Sequence, residues 1–206
     1  MSEELVRAFV AIELPAEVKA SLGKIQAEMN RRMIASLGAQ AADKAIKWVN
    51  PEGVHLTLKF LGSVPASRIA RIENALRRAA ANNSELTIEL GGLGAFPSPQ
   101  RPRVVWIGTH GEIEKLAKIQ SEVDSELAAL GFPREERAFS PHITLARLRE
   151  TASSEERRKI GEAVKAGPQV APMRVHVEAI SLMRSELSRA GARYSRIAHI
   201  PLRAAK

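Results

Sequence analysis

Two short stretches of this 206-residue chain alternate apolar and polar residues along a strand-like repeat. One is Val54-His55-Leu56-Thr57-Leu58-Lys59-Phe60. The other is Ser140-Pro141-His142-Ile143-Thr144-Leu145-Ala146-Arg147. In the first, Val54, Leu56, Leu58 and Phe60 share a core face, and His55, Thr57 and Lys59 share the other. In the second, Ile143 and Leu145 face the core, and His142 and Thr144 face away from it. Strict alternation gives Lys59 the side of His55, and turns Arg147 to the side of Ile143 and Leu145.

The remaining periodicities arrange themselves around these two strands. Residues 5–12 predict a strand rich in β-formers. After Pro15, Val18, Leu22, Ile25, Met29 and Met33 recur at helical spacing until Gly38, with the methionines as core filler. Residues 39–44 read as a loop, 46–49 as a short strand, and 51–53 and 62–65 as turns. Ile69, Ile72 and Leu76 mark a second helix, and 86–90 a strand. Residues 91–99, rich in Gly and Pro, lack phosphate-loop spacing and read as a linker. The order then restarts. Residues 104–107 predict a strand, and Ile113 to Leu130 a helix closed by Gly131. Ser153 and Glu156 form a capping box for a helix that carries Ile160 and Val164 and stops at Gly167-Pro168. Residues 173–177, 180–183 and 194–200 read as closing strands. Each half thus runs strand, helix, His strand, helix, strand, the mark of a diverged internal duplication. Two such lobes related by a pseudo-twofold axis bring both His strands to one central cleft. The expected organisation is a single domain, 1–206. Its lobes are 13–100 and 101–190, and terminal segments 1–12 and 191–206 cross between them.

Composition narrows the function classes. The apolar fraction of 45% and the charged fraction of 26% suit a soluble globular protein. No apolar run reaches the length of a membrane span and no signal-peptide pattern opens the chain, so a cytoplasmic protein without membrane contact is expected. No coiled-coil or exposed apolar stripe is evident, and a monomer is expected. The chain has no cysteine, which excludes disulfides, Cys-ligated zinc and a thiol nucleophile. A net charge of +8 favours a polyanionic partner such as RNA. Aromatic residues are only 4% of the chain, which points to a substrate end held in a cleft rather than a broad base-stacking platform.

The paired motif carries the chemistry. With five His in the chain, His-x-Thr is expected by chance about 0.1 times; it occurs twice, each time followed by Leu. Two histidines titrating near neutrality can share one proton, one as acid and the other as base. Two threonine hydroxyls can donate to the non-bridging oxygens of a phosphate. The set suits in-line attack on a phosphodiester. Neither motif has a third metal ligand, so no metal and no cofactor is expected. His110, His176 and His199 have no Thr partner and read as structural or surface residues. Tyr194 reads as a packing residue.

The paired His-x-Thr-Leu motifs resemble those of the 2H phosphoesterase superfamily, and more closely the RNA 2′,3′-cyclic phosphodiesterases once named 2′-5′ RNA ligases. The resemblance extends over Arg7 to Ile12, His55 to Gly62, Gly92 to Pro97, Val105 to Gly108, Pro141 to Arg147 and Ser185 to Tyr194. It implies an α+β fold, bilobal, with antiparallel sheets flanked by helices around a central cleft. It implies hydrolysis of a 2′,3′-cyclic phosphate at an RNA end to a 2′-phosphate, with tRNA fragments or small cyclic nucleotides as alternative candidate substrates. It implies His55 as proton donor, His142 as proton acceptor, and Thr57, Thr144 and Arg147 as phosphate-binding residues. Two other readings stay open: reversible 2′-5′ RNA ligation at the same site, and a non-catalytic RNA-end binder.

Overall fold

Nine strands and five helices build two antiparallel sheets in the computed structural model, which describes residues 3–188 and 191–205. Residues 1, 2, 189, 190 and 206, which the expected terminal and second-lobe segments include, lie outside the described residues. The elements run β1 (Leu5–Glu13), α1 (Ala16–Leu37), α2 (Ala39–Ala45), β2 (Ile46–Trp48), β3 (His55–Pro65), α3 (Ile69–Ala81), β4 (Leu86–Phe96) and β5 (Val104–Gly111). They continue with α4 (Ile113–Ala128), β6 (His142–Leu148), α5 (Ser154–Lys165), β7 (Met173–Val177), β8 (Ala179–Ser188) and β9 (Gly191–Pro201). The α+β class with antiparallel sheets, read from the sequence, holds.

One sheet has the order β3-β1-β8-β9, the other β2-β6-β5-β4-β7. The duplication explains this order. The closing strand of the first half, β4, pairs with β5, which opens the second half. The closing strand of the second half, β8, pairs with β1, which opens the first. Each half therefore lends a strand to the sheet of the other. β1 sits between two neighbours and is buried on both faces: Val6, Ala8, Val10 and Ile12 on the side of the main core, Phe9 and Ala11 on the other beside Met183. Its near-continuous apolar run is that of a central strand.

Helices cover one face of each sheet. Leu56 and Leu58 of β3, Ile143 and Leu145 of β6, and Leu22, Ile72, Leu76, Leu116 and Val123 of the helices belong to one core. β3 and β6 touch each other across the seam between the sheets. A second core, with Met29, Met33, Ile46, Ala146 and Ile160, fills the space under α1 and α5.

Three local expectations change. Residues 39–44 are not a loop; they form most of α2, whose Ala42 and Ala45 are buried. Its composition favours a helix, but the run is too short to show a period. Residues 62–65 are not a turn. β3 continues to Pro65, and Gly62, at φ 73°, lies at a bulge: Gly62 pairs with Ala8 and Phe60 with Phe9, leaving Leu61 unpaired. Residues 91–99 are not a linker. β4 runs through them to Phe96, and its glycines admit close neighbours. A Cβ on Gly94 would lie 2.2 Å from the Trp106 indole.

Candidate active site

His55 and His142 each open a strand, and each is held in the same way. Nδ1 of His55 donates to the carbonyl of Gly53 at 2.8 Å. Nδ1 of His142 donates to the carbonyl of Ser140 at 2.7 Å. A carbonyl can only accept, so Nδ1 carries the proton and Nε2 keeps its lone pair in the neutral ring. In both halves the anchoring carbonyl belongs to the second residue before the His. Thr57 and Thr144 are half-buried beside them, while Leu56, Leu58, Ile143 and Leu145 point into the core.

Both strands then break alternation at the same step. Thr57 pairs with Ala11 but Lys59 with Val10, so Leu58 is bulged out. Thr144 pairs with Trp106 but Ala146 with Val105, so Leu145 is bulged out. A bulge reverses the facing of everything that follows. Lys59 and Ala146 turn inward and are buried, and Phe60 and Arg147 turn to the side of the histidines. The expectation for Lys59 is therefore corrected. Its ammonium bonds the buried Asp124 carboxylate of α4 and the Pro133 carbonyl. The facing of Arg147 is corrected too, in favour of the site. Gln26 of α1 stabilises the second bulge by donating to the carbonyls of Leu145, at 2.9 Å, and Val49, at 2.8 Å.

Aromatic rings surround both imidazoles. His55 lies 4.6 Å from the ring of Phe9 and 5.0 Å, edge-on, from that of Tyr194. His142 meets Phe96 edge-on at 4.8 Å, and Phe96 leans on Trp106. Phe60, placed on the core face by strict alternation, is 69% exposed and lies 6.2 Å from Phe9. The low aromatic content did not reveal that these five rings collect in two groups, Phe9, Phe60 and Tyr194 at His55 and Phe96 and Trp106 at His142. Their signal was alternation in β1 and β5, which puts Phe9 and Trp106 opposite the core.

The two histidines differ in setting. Burial pushes the His55 pKa below its ordinary value and Lys19 adds to this, while the Gly53 carbonyl and Glu13 oppose it. Glu13 is the cross-strand neighbour of His55. Burial acts to raise its pKa, but Arg196 and Ser181, both bonding the carboxylate at 2.6 Å, hold it below the usual range. The sequence reading missed Glu13, Ser181 and Arg196, which come from three strands. His110 contacts the Gly91 carbonyl and His176 pairs with Glu85. Among the described residues no group of three or more His, Asp or Glu is placed to hold a metal ion. Among the described residues no helix is long and apolar enough to cross a membrane.

Known proteins resemble this chain in sequence and in fold. The family model described as LigT like Phosphoesterase matches twice, over residues 12–106 and 107–194. An RNA 2′,3′-cyclic phosphodiesterase of Methanothermobacter thermautotrophicus is 34% identical over 92% of this chain and 95% of its own length. Another of that name, from Aeropyrum pernix, is 38% identical over 72% of this chain and 82% of its own. Among solved structures, Escherichia coli LigT complexed with 3′-AMP superposes with a TM-score of 0.71 at 26% identity, covering 97% of this chain and 99% of that one. TT0787 of Thermus thermophilus gives 0.70 at 28%, covering 96% and 98%.

Proposed function

From the premise that the chain belongs to the LigT-like phosphoesterase family, we propose that it hydrolyses 2′,3′-cyclic phosphate ends of RNA to 2′-phosphates by two-histidine acid–base catalysis. The observation that carries this reading is the repeated anchoring of His55 and His142. Each ring has Nδ1 fixed on a carbonyl, no hydrogen-bond partner on Nε2 among the described residues, and a threonine hydroxyl beside it on the same strand face.

Water attacks phosphorus as His142 takes its proton. The bond from phosphorus to the 3′-oxygen breaks, and His55 delivers a proton to that oxygen. Thr57 and Thr144 donate to the non-bridging oxygens, and Arg147 supplies positive charge to the phosphate. Phe60, the exposed ring at the position equivalent to Arg147, offers a face for the terminal base. Names of relatives support the substrate, since both curated relatives described above are RNA 2′,3′-cyclic phosphodiesterases. The roles of the two histidines follow the resemblance of their motifs to the superfamily.

The test incubates the protein with an RNA oligonucleotide ending in 2′,3′-cyclic phosphate, with EDTA, from pH 5 to 9. Conversion to the 2′-phosphate with a bell-shaped pH profile is expected, falling at least ~100-fold in His55→Ala and in His142→Ala. No conversion by the wild type overturns the reading, and loss on chelation alone moves it to a metal-dependent mechanism. A substrate with sulfur in place of the 3′-oxygen needs no proton on its leaving group. It should restore turnover to His55→Ala and not to His142→Ala; the opposite pattern would reverse the two roles.

A further inference from the structure

Lys47 and Arg147 stand directly opposite each other on β2 and β6. Both are exposed, and alternation fixes their common side. Their neighbours Trp48 and Ala146, also paired, face the helices: Trp48 bonds Asn30 of α1, and Ala146 is buried under α1 and α5. Lys47 and Arg147 therefore lie on the other face, with Thr144 and His142. Like charges in direct cross-strand register are destabilising on their own. Among the described residues neither cation forms an ion pair with a carboxylate. Such a pair is stabilised by an anion between its members.

Position suggests which anion. β2 is the edge of its sheet and β6 lies inside it, so Lys47 is one strand further from His142 than Arg147 is. Thr144 and Arg147 are roughly 8 Å apart along β6, allowing for the bulge, and Lys47 lies roughly 5 Å across the ladder from Arg147, so the span from Thr144 to Lys47 is of the order of one nucleotide step. Arg147 can reach back toward the reacting phosphate, and Lys47 then meets the next one along the chain. We propose that Lys47, across from Arg147, forms a second phosphate subsite that binds the phosphodiester one nucleotide upstream of the reacting end. The site therefore favours an RNA chain end over a cyclic mononucleotide. This deepens the reading given under Proposed function and rests on it for the place of the reacting phosphate.

The test compares wild type, Lys47→Ala, Lys47→Arg and Lys47→Glu on two substrates, a trinucleotide ending in 2′,3′-cyclic phosphate and a nucleoside 2′,3′-cyclic phosphate. The ratio of kcat/KM for the trinucleotide over the mononucleotide should fall about fivefold or more in Lys47→Ala and further in Lys47→Glu. It should be kept in Lys47→Arg. The salt dependence of trinucleotide affinity should weaken in Lys47→Ala by a slope of about 0.7. An unchanged ratio, whether both activities hold or fall together, overturns the subsite. A binding arm uses a trinucleotide ending in 2′-phosphate and a nucleoside 2′-monophosphate, read by calorimetry. It decides the subsite even if the wild type turns over neither cyclic substrate, the result that would instead overturn the phosphodiesterase reading. Loss of affinity confined to the trinucleotide in Lys47→Ala supports the subsite; equal affinities for wild type and variant overturn it.

Discussion

His55 is set among Phe9 and Tyr194, and the burial that results lowers its pKa from the ordinary imidazole value. The sign follows from charge: removing water penalises the imidazolium and leaves the neutral ring untouched. In the free protein, the His55 titration followed by NMR should therefore have its midpoint below 6.5. Tyr194→Ala opens one side of the ring to water, and the midpoint should rise. A midpoint that stays put would mean that Tyr194 does not shield the ring. Under the proposed function, an anionic phosphate beside His55 would act in the opposite sense, drawing the proton onto the ring when substrate binds. A donor of depressed pKa gives up its proton readily, which suits the protonation of an alkoxide leaving group. The histidines were legible at this scale because each motif is local, a His and a Thr on one side of a strand. The Glu13–Arg196–Ser181 network was not, since its members are distant in sequence and meet only through strand pairing.

At the scale of elements, the bulges at Leu58 and Leu145 decide what each His strand presents. Both bulged residues are leucines, so no glycine or proline announces the break. The pairing partners in β1 and β5 impose it. The first bulge sends Lys59 into the core against Asp124, which also accepts from the backbone of Glu135. This ties β3 to α4 and to the segment that leads into β6. Lys59→Met should cost about 3–5 kcal/mol, because it strands a buried carboxylate. Lys59→Met with Asp124→Leu should recover most of that loss. Denaturant midpoints of the four proteins of the cycle check it, and a double variant as unstable as the single one would contradict the pairing. The second bulge depends on Gln26. Gln26→Leu leaves the Val49 carbonyl unpaired and should cost about 1–3 kcal/mol. It should also lower kcat/KM toward the level of Arg147→Ala, while Gln26→Leu should add little in an Arg147→Ala background.

For the whole molecule, the exchange of closing strands has a thermodynamic consequence. β4 completes the sheet of the second half, and β8 that of the first, while one core draws on both sheets. Neither half can satisfy its backbone or cover its apolar surface alone. Calorimetry should show a single cooperative transition, and a fragment of residues 1–100 should lack native circular dichroism. Two resolved transitions, or a folded fragment, would contradict this coupling. The net charge of +8 acts at this scale as well, and under the proposed function it raises the local concentration of an anionic RNA chain.

The sequence by itself determined the elements that carry a strong local signal. These are the two His-x-Thr strands, the amphipathic helices, the capping box at Ser153 and Glu156, and the repeated order of the halves. Period and propensity act within a few residues, so they can be read without knowing what lies opposite. Only the tertiary structure decided which way Lys59, Phe60 and Arg147 face, that residues 91–96 complete a strand rather than belong to a linker, and that α2 is helical. It also brought Lys47 opposite Arg147. Each of these depends on the register between segments far apart in the chain. Register is set by burying both partners' apolar faces at once, which no local pattern records.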